Sequence, residues 1–186
     1  DSTIEQYFNN EEKLSEPLIM HQLSSLEQET AFFFGNSLSV RAANDFFFPT
    51  NKSASIYTNR GASGIDGLLA TAVGIAEVEN RNKKQLIAVM GDLSFLYDLP
   101  SLLLIQKLQP NITIILFNNQ GSGIAHSLPL KEQSEEFFNT FCQEKTSCNY
   151  KTLLKSFNID YYNPTTKNHF NDHLLLATSN KKPTLL

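Results

Sequence analysis

Asp92, Asn119 and Gly121 are the residues of this sequence whose types and spacing best suit a shared chemical task. A carboxylate, an amide oxygen and a backbone carbonyl are hard oxygen donors, fit for a Mg²⁺ ion that takes its other positions from a diphosphate and water. Asp92 follows an apolar run through Gly91, and Asn119 follows a second such run through Asn118. The interval between them has room for one helix and one strand, so a right-handed crossover can bring the two side chains together. Gly91, Gly121 and Gly123 let the backbone approach phosphate oxygens closely, and a helix beginning near Ser94 would add amide donors. The same Gly-Asp and Asn-Asn pairs also fit ordinary turns at strand ends.

Two further clusters follow apolar runs. Thr58-Asn59-Arg60-Gly61-Ala62-Ser63-Gly64-Ile65-Asp66-Gly67 leads into a stretch rich in small residues, Ala70, Ala72, Gly74 and Ala76. Such a turn suits an anion or a flat cofactor against a helix start, with Arg60 as a clamp for carboxylate or phosphate; a tight turn with a surface Arg is the plainer alternative. In Gly35-Asn36-Ser37, Arg41 stands one helical turn beyond Ser37 on the same face. Ser37 there is either a helix cap or a ligand-binding hydroxyl. Together the three turns describe a polar, anion-seeking crevice.

The elements that must position these turns are short apolar runs alternating with amphipathic stretches. Strands are expected at 31–34, 56–58, 85–90, 112–117, 159–162 and 183–186, and helices at 37–47, 65–79, 99–108, 150–157 and 168–179. The runs at 86–90 and 112–117 lack polar alternation, as central strands covered on both faces do. The predicted class is therefore α/β: a doubly wound, mostly parallel six-stranded sheet with helices on both faces, whose ligands bind at the carboxyl ends of the strands. Residues 1–30 read as a leading arm or interdomain linker with a helix over 16–26, where Leu18, Ile19, Leu23 and Leu26 keep helical spacing; 31–186 read as the folded domain.

Composition closes other doors. The chain of 186 residues, 41% hydrophobic and 18% charged, has the content of one globular domain. A net charge of -4 offers no basic surface for nucleic acid. The triplets Phe32 to Phe34 and Phe46 to Phe48 read as core or interface packing, not as a stacking platform for bases. No apolar run is long enough for a membrane span, and the polar, acidic start is unlike a signal peptide, so a cytoplasmic location is expected. Cys142 and Cys148 read as ordinary reduced thiols.

Taken together, "GNSLSVR", "TNRGASGIDGLLATAVGIA", "GDLSFLYDLPSLLLI" and "ITIILFNNQGSGIAHSLP" resemble the carboxyl-terminal domain of the SEPHCHC synthases of menaquinone biosynthesis. The Gly-Asp to Asn-Asn portion is similar to the signature of thiamin diphosphate enzymes at large, whereas Asn-Arg-Gly-Ala-Ser-Gly-Ile-Asp-Gly is more specific to this family. The resemblance runs from about Phe33 to Pro129, with a looser match to Leu186.

The resemblance implies an enzyme that decarboxylates 2-oxoglutarate on thiamin diphosphate and adds the succinyl-semialdehyde unit to isochorismate. By the same resemblance Asp92, Asn119 and the Gly121 carbonyl hold Mg²⁺ or Mn²⁺. Asn36, Gly64, Ile65, Gly91, Leu93, Ser94 and Ile124 join them in binding the cofactor, with Ile65 propping it in its bent form. Ser37, Arg41 and Arg60 would bind substrate carboxylates, in keeping with the planar fork that Arg presents to such groups. Ser122 replaces a usual Gly, and Ala125, beside His126, stands where an aromatic pocket wall is expected. The family's pyrimidine-binding and middle domains have no counterpart here, and no residue before Ala31 is expected to supply the glutamate that activates the cofactor. The resemblance thus implies an inactive isolated domain, a second subunit's pyrimidine-binding domain as partner, and a homodimer or homotetramer. Another thiamin diphosphate decarboxylase or carboligase, or a noncatalytic diphosphate-binding module, are the alternatives.

Overall fold

The computed structural model describes residues 2–26, 29–50, 54–59, 61, 63–127, 135–142 and 145–186. Its strands are β1 (Thr30–Phe34), β2 (Ser55–Thr58), β3 (Gln85–Gly91), β4 (Ile112–Phe117), β5 (Asp160–Tyr161) and β6 (Thr184–Leu185). They form one six-stranded sheet in the order β2-β1-β3-β4-β6-β5, with each neighbouring pair parallel, as the apolar runs predicted. The helices are α1 (Ser2–Asn10), α2 (Glu16–Ser24), α3 (Leu38–Phe46), α4 (Leu68–Arg81), α5 (Asp92–Tyr97), α6 (Leu102–Leu108), α7 (Glu135–Phe137, continued by a π-helical turn over Phe138–Cys142), α8 (Tyr150–Lys155) and α9 (Lys167–Asn180). Among the described residues no helix is long and apolar enough to cross a membrane.

Alternate side chains of the central strands feed two cores, which is why the strands are apolar throughout. Ala31, Phe33, Leu86, Ala88, Met90, Ile112 and Ile114 pack beneath α4, α5, α6 and α8. Phe32, Phe34, Ile87, Val89, Ile115 and Phe117 pack beneath α2, α3 and α9. Each large apolar side chain buried this way contributes about 1.5–3 kcal/mol against the cost of ordering the chain. The rings of Phe32 and Phe34 lie 4.8 and 4.9 Å from Phe47, so these phenylalanines are core. Met20 and Leu23 bring α2, in the segment read as a leading arm, into the second core.

The crossover from β1 leaves toward the α3 face, and the crossover from β3 leaves toward the opposite face. β1 and β3 are hydrogen-bonded neighbours, so a crevice opens between their carboxyl ends.

Boundaries differ from expectation where one residue's backbone overrides the pattern. Helix α4 starts at Leu68, not 65, because Gly67 takes φ 71°, a left-handed conformation that an α-helix cannot contain. The predicted helix over 99–108 divides into a 3₁₀ turn, Leu99–Ser101, which holds Pro100, and α6. Strand β5 is shorter than 159–162, since the Ile159 amide donates to Leu154 O at 3.2 Å and closes the end of α8. Helices α1 and α7 were not expected.

Candidate functional site

Three loops at the carboxyl ends of β1, β3 and β4 meet around a cavity of about 230 Å³. The first begins at Gly35, whose amide donates to Val89 O at 2.8 Å. A Cβ there would stand 3.1 Å from Met90 Cβ and 3.2 Å from Val89 O, so β1 and β3 cross too closely for most side chains. Asn36 is buried, and its Nδ2 donates to Gly64 O at 2.7 Å, tying this loop to the one ahead of α4. Ser37 precedes α3 but does not cap it: its side chain makes no capping bond, and its backbone sits at φ 72°, ψ -131°. A non-glycine residue held there stores on the order of 1–3 kcal/mol of strain, a cost that clusters at ligand sites.

The second loop is Gly91 to Ser94. Gly91 is extended, and Asp92 opens α5 directly, two residues before the expected helix start. Asp92 is only 1% exposed. Its Oδ2 accepts a hydrogen bond from Thr146 Oγ1 at 2.8 Å. The third loop turns at Asn118, whose Oδ1 accepts from the Gln120 amide at 3.2 Å. Gln120 and Gly121 then run through positive φ, 61° and 140°, and the Gly121 carbonyl accepts from the Gly123 amide at 2.9 Å. A carbonyl has a second lone pair, so this bond leaves room for a cation.

The cavity brings together Asn36, Ser37, Ile65, Gly91, Asp92, Leu93, Ser94, Asn119, Gly121 and Ile124, all of them residues the sequence nominated. Ser122 and Gly123 complete the third loop's wall. Gly64 is exposed and contributes through its carbonyl's hold on Asn36. Arg41 is not in the cavity; it is exposed on α3 and lines a separate depression with Val40, Asn44 and Asp45. Arg60 lies outside the described residues. Ala125 is buried in the 3₁₀ turn Gly123–Ser127, which also contains His126.

Besides Leu38, Ser39 and Phe117 of the cavity wall, two residues of the site were not nominated. Glu16 lines the cavity from the start of α2, and burial pushes its carboxyl above the ordinary value. Ser15, which caps α2, and Pro17 mark that helix start in the sequence, and a helix antiparallel to β1 must begin at the strand's carboxyl edge. The other is Thr146. Nearby, the Tyr150 hydroxyl has no hydrogen-bond partner among the described residues, and burial, then the Asp92 charge, hold the phenol well above its usual range.

The donor set fits a diphosphate-bound divalent cation: one buried carboxylate, an amide and a carbonyl on two loops facing one cavity. The third loop is shaped around that set, since a Cβ on Gly123 would fall 2.2 Å from Asn119 Nδ2.

A sheet with this switch-point cavity defines a cofactor-binding α/β domain, and residues 37–186 match the family of the thiamine pyrophosphate enzyme C-terminal TPP binding domain; the chain belongs to that family. More particularly, it is 38% identical over 161 residues to the 2-succinyl-5-enolpyruvyl-6-hydroxy-3-cyclohexene-1-carboxylate (SEPHCHC) synthase of Gloeothece citriformis, a match covering 86% of this chain and 27% of the relative. It is 42% identical over 145 residues to the synthase of the same name from Psychromonas ingrahamii, covering 78% of this chain and 24% of the relative. The chain thus spans about a quarter of the length of these relatives. In fold it is similar to the benzoylformate decarboxylase of Polynucleobacter necessarius, with a TM-score of 0.73 and 21% identity over 92% of this chain and 32% of that one. A similar match, with a TM-score of 0.74 and 18% identity over 93% of this chain and 32% of the other, is to a thiamine diphosphate-dependent 4-hydroxybenzoylformate decarboxylase of Rhodococcus jostii.

Proposed function

We propose that this chain is the diphosphate-binding portion of an SEPHCHC synthase, which decarboxylates 2-oxoglutarate and adds the succinyl-semialdehyde unit to isochorismate with release of CO₂. The observation that carries the reading is the convergence of Asp92, Asn119, Gly121, Ile65 and Ser37 on one switch-point cavity. Asp92, Asn119 and the Gly121 carbonyl would hold Mg²⁺ or Mn²⁺ against the diphosphate. Thiamin diphosphate, when bound, supplies the electron sink that lets a 2-oxo acid lose CO₂. Ile65, half-buried at the mouth of α4, offers the apolar wall against which the cofactor rests. The Ser37 hydroxyl, not spent on capping α3, is placed to orient a substrate carboxylate; the resemblance would give Arg60, by its type alone, the same class of ligand. A pyrimidine-binding domain from a second subunit would close the cavity in a cytoplasmic homodimer or homotetramer.

The position of Arg41, turned to a separate depression, favours a second reading in which the acceptor carries fewer carboxylates: another thiamin diphosphate decarboxylase or carboligase. Calorimetric titration of the protein with thiamin diphosphate and Mg²⁺, followed by 2-oxoglutarate turnover with and without isochorismate, separates the two. Metal-dependent binding with an isochorismate-dependent adduct is the expected outcome. Decarboxylation without adduct selects the second reading, and binding indifferent to the metal removes both.

A further inference from the structure

The two loops that carry the candidate metal ligands are distant in sequence, yet one residue is bonded to both. Thr146 donates its hydroxyl to Asp92 Oδ2 at 2.8 Å and its backbone amide to Gln120 O at 3.2 Å. Its own position is fixed from either side. Lys145, just before it, forms an antiparallel bridge with Gly121. Tyr150, just after it, opens α8, where Asn149 Oδ1 accepts from the Thr152 amide at 3.0 Å. The Tyr150 ring in turn lies edge-on to Phe95, 5.9 Å away, on the same short helix that begins with Asp92. The 145–150 segment is therefore a strap joining the Asp92 loop to the Asn119–Gly121 loop.

We infer that Thr146 is a positioning residue for the metal and diphosphate, acting through Asp92; this rests on the metal reading of Asp92, Asn119 and Gly121 given above. A carboxylate at a helix start has several rotamers, and a hydrogen bond to Oδ2 selects one, so that Oδ1 would be the oxygen left to offer a cation. The Thr146 amide meanwhile holds Gln120, the residue between Asn119 and Gly121, at its left-handed φ of 61°. Both halves of the ligand set thus share one support, and loss of the hydroxyl frees only the Asp92 half.

The test is titration of the protein with Mn²⁺ at saturating thiamin diphosphate, followed by electron paramagnetic resonance, on the wild type, Thr146→Val and Thr146→Ser. Partners of metal ligands are worth about 10–100-fold in affinity, so the valine variant is expected to bind Mn²⁺ about tenfold more weakly or worse, while serine restores it. Without metal or cofactor the serine variant is expected to match the wild type in thermal midpoint, and the valine variant to fall only modestly below it, by the one hydrogen bond that buried Asp92 loses. Thr146→Ala repeats the measurement if valine, which sets a methyl against the Asp92 carboxylate, does not fold. Wild-type affinity in the valine or alanine variant overturns the inference, as does a serine variant no better than valine. A wild type whose cofactor binding ignores Mn²⁺ overturns the metal reading itself, and is told apart because the failure then precedes any substitution.

Discussion

At Gly123 an absent side chain sets the position of a present one. A Cβ there would fall 2.2 Å from Asn119 Nδ2, 3.0 Å from its Cγ and 3.3 Å from Leu38 Cδ1. Asn119 is exposed, so Gly123→Ala is expected to displace its side chain with little cost to the fold. Calorimetry should show weaker Mg²⁺-dependent binding of thiamin diphosphate in this variant at an unchanged urea midpoint; equal affinity would mean that Asn119 is not a ligand. Glu16 makes a second test. Its carboxyl sits above the ordinary 4.5 because burial disfavours the charged form, so the fold gains from its protonated state. That stability is present below pH 4.5 and is lost as pH rises through the higher folded value. Glu16→Gln removes the titration, so the stability difference, wild type minus variant, is expected to fall across this window in urea melts at stepped pH. A difference that rises with pH would contradict it. Asp92, Asn119 and Gly121 are legible in the sequence because each stands within four residues of the end of an apolar strand. Glu16 is legible only as the start of a capped helix, and Thr146 not at all, since the fold alone brings it to that edge.

Among the elements, α4 depends on a cap from outside itself. Gly67 at its N-cap position offers no side chain, and the Ala70 amide instead donates to Asp98 Oδ2 at 2.7 Å. Ser101 Oγ donates to Asp98 Oδ1, also at 2.7 Å, so one carboxylate joins the end of α5 to the start of α4 and to the turn ahead of α6. Asp98→Ala is expected to cost about 1–2 kcal/mol, the range for a lost helix cap, read as a lowered urea midpoint with an unchanged slope. A neutral result would show that solvent satisfies these donors equally well. The strands are legible because their apolar runs leave no other period. Helix α5 is obscured because its six residues span less than two turns, too few for a pattern, and its first residue reads as part of a turn. The start of α4 is hidden by the small residues around Gly67, which suit a helix or a loop equally.

In the whole molecule, the site exists because β1 and β3 are neighbours whose crossovers leave on opposite faces, and this follows from strand order more than from any motif. The predicted alternation of strands and helices made the doubly wound class legible; the particular order β2-β1-β3-β4-β6-β5 rests on pairings that no local pattern encodes. Since the three loops spring from adjacent central strands, a ligand bridging them is lost when the sheet unfolds, and its binding should report on global stability. At about a hundred times its Kd, a ligand confined to the folded state adds about 2.7 kcal/mol. For a chain of this size that corresponds to a rise of roughly 5–10 °C in Tm. Thiamin diphosphate with Mg²⁺ is expected to produce that rise in calorimetric scans of the protein, and thiamin diphosphate with a chelator is not. Asp92→Ala should abolish the rise, because the only charged member of the proposed ligand set is gone. A rise that survives in Asp92→Ala, or that ignores the chelator, would place the cofactor's hold on the loop backbones and not on a metal joining β3 to β4.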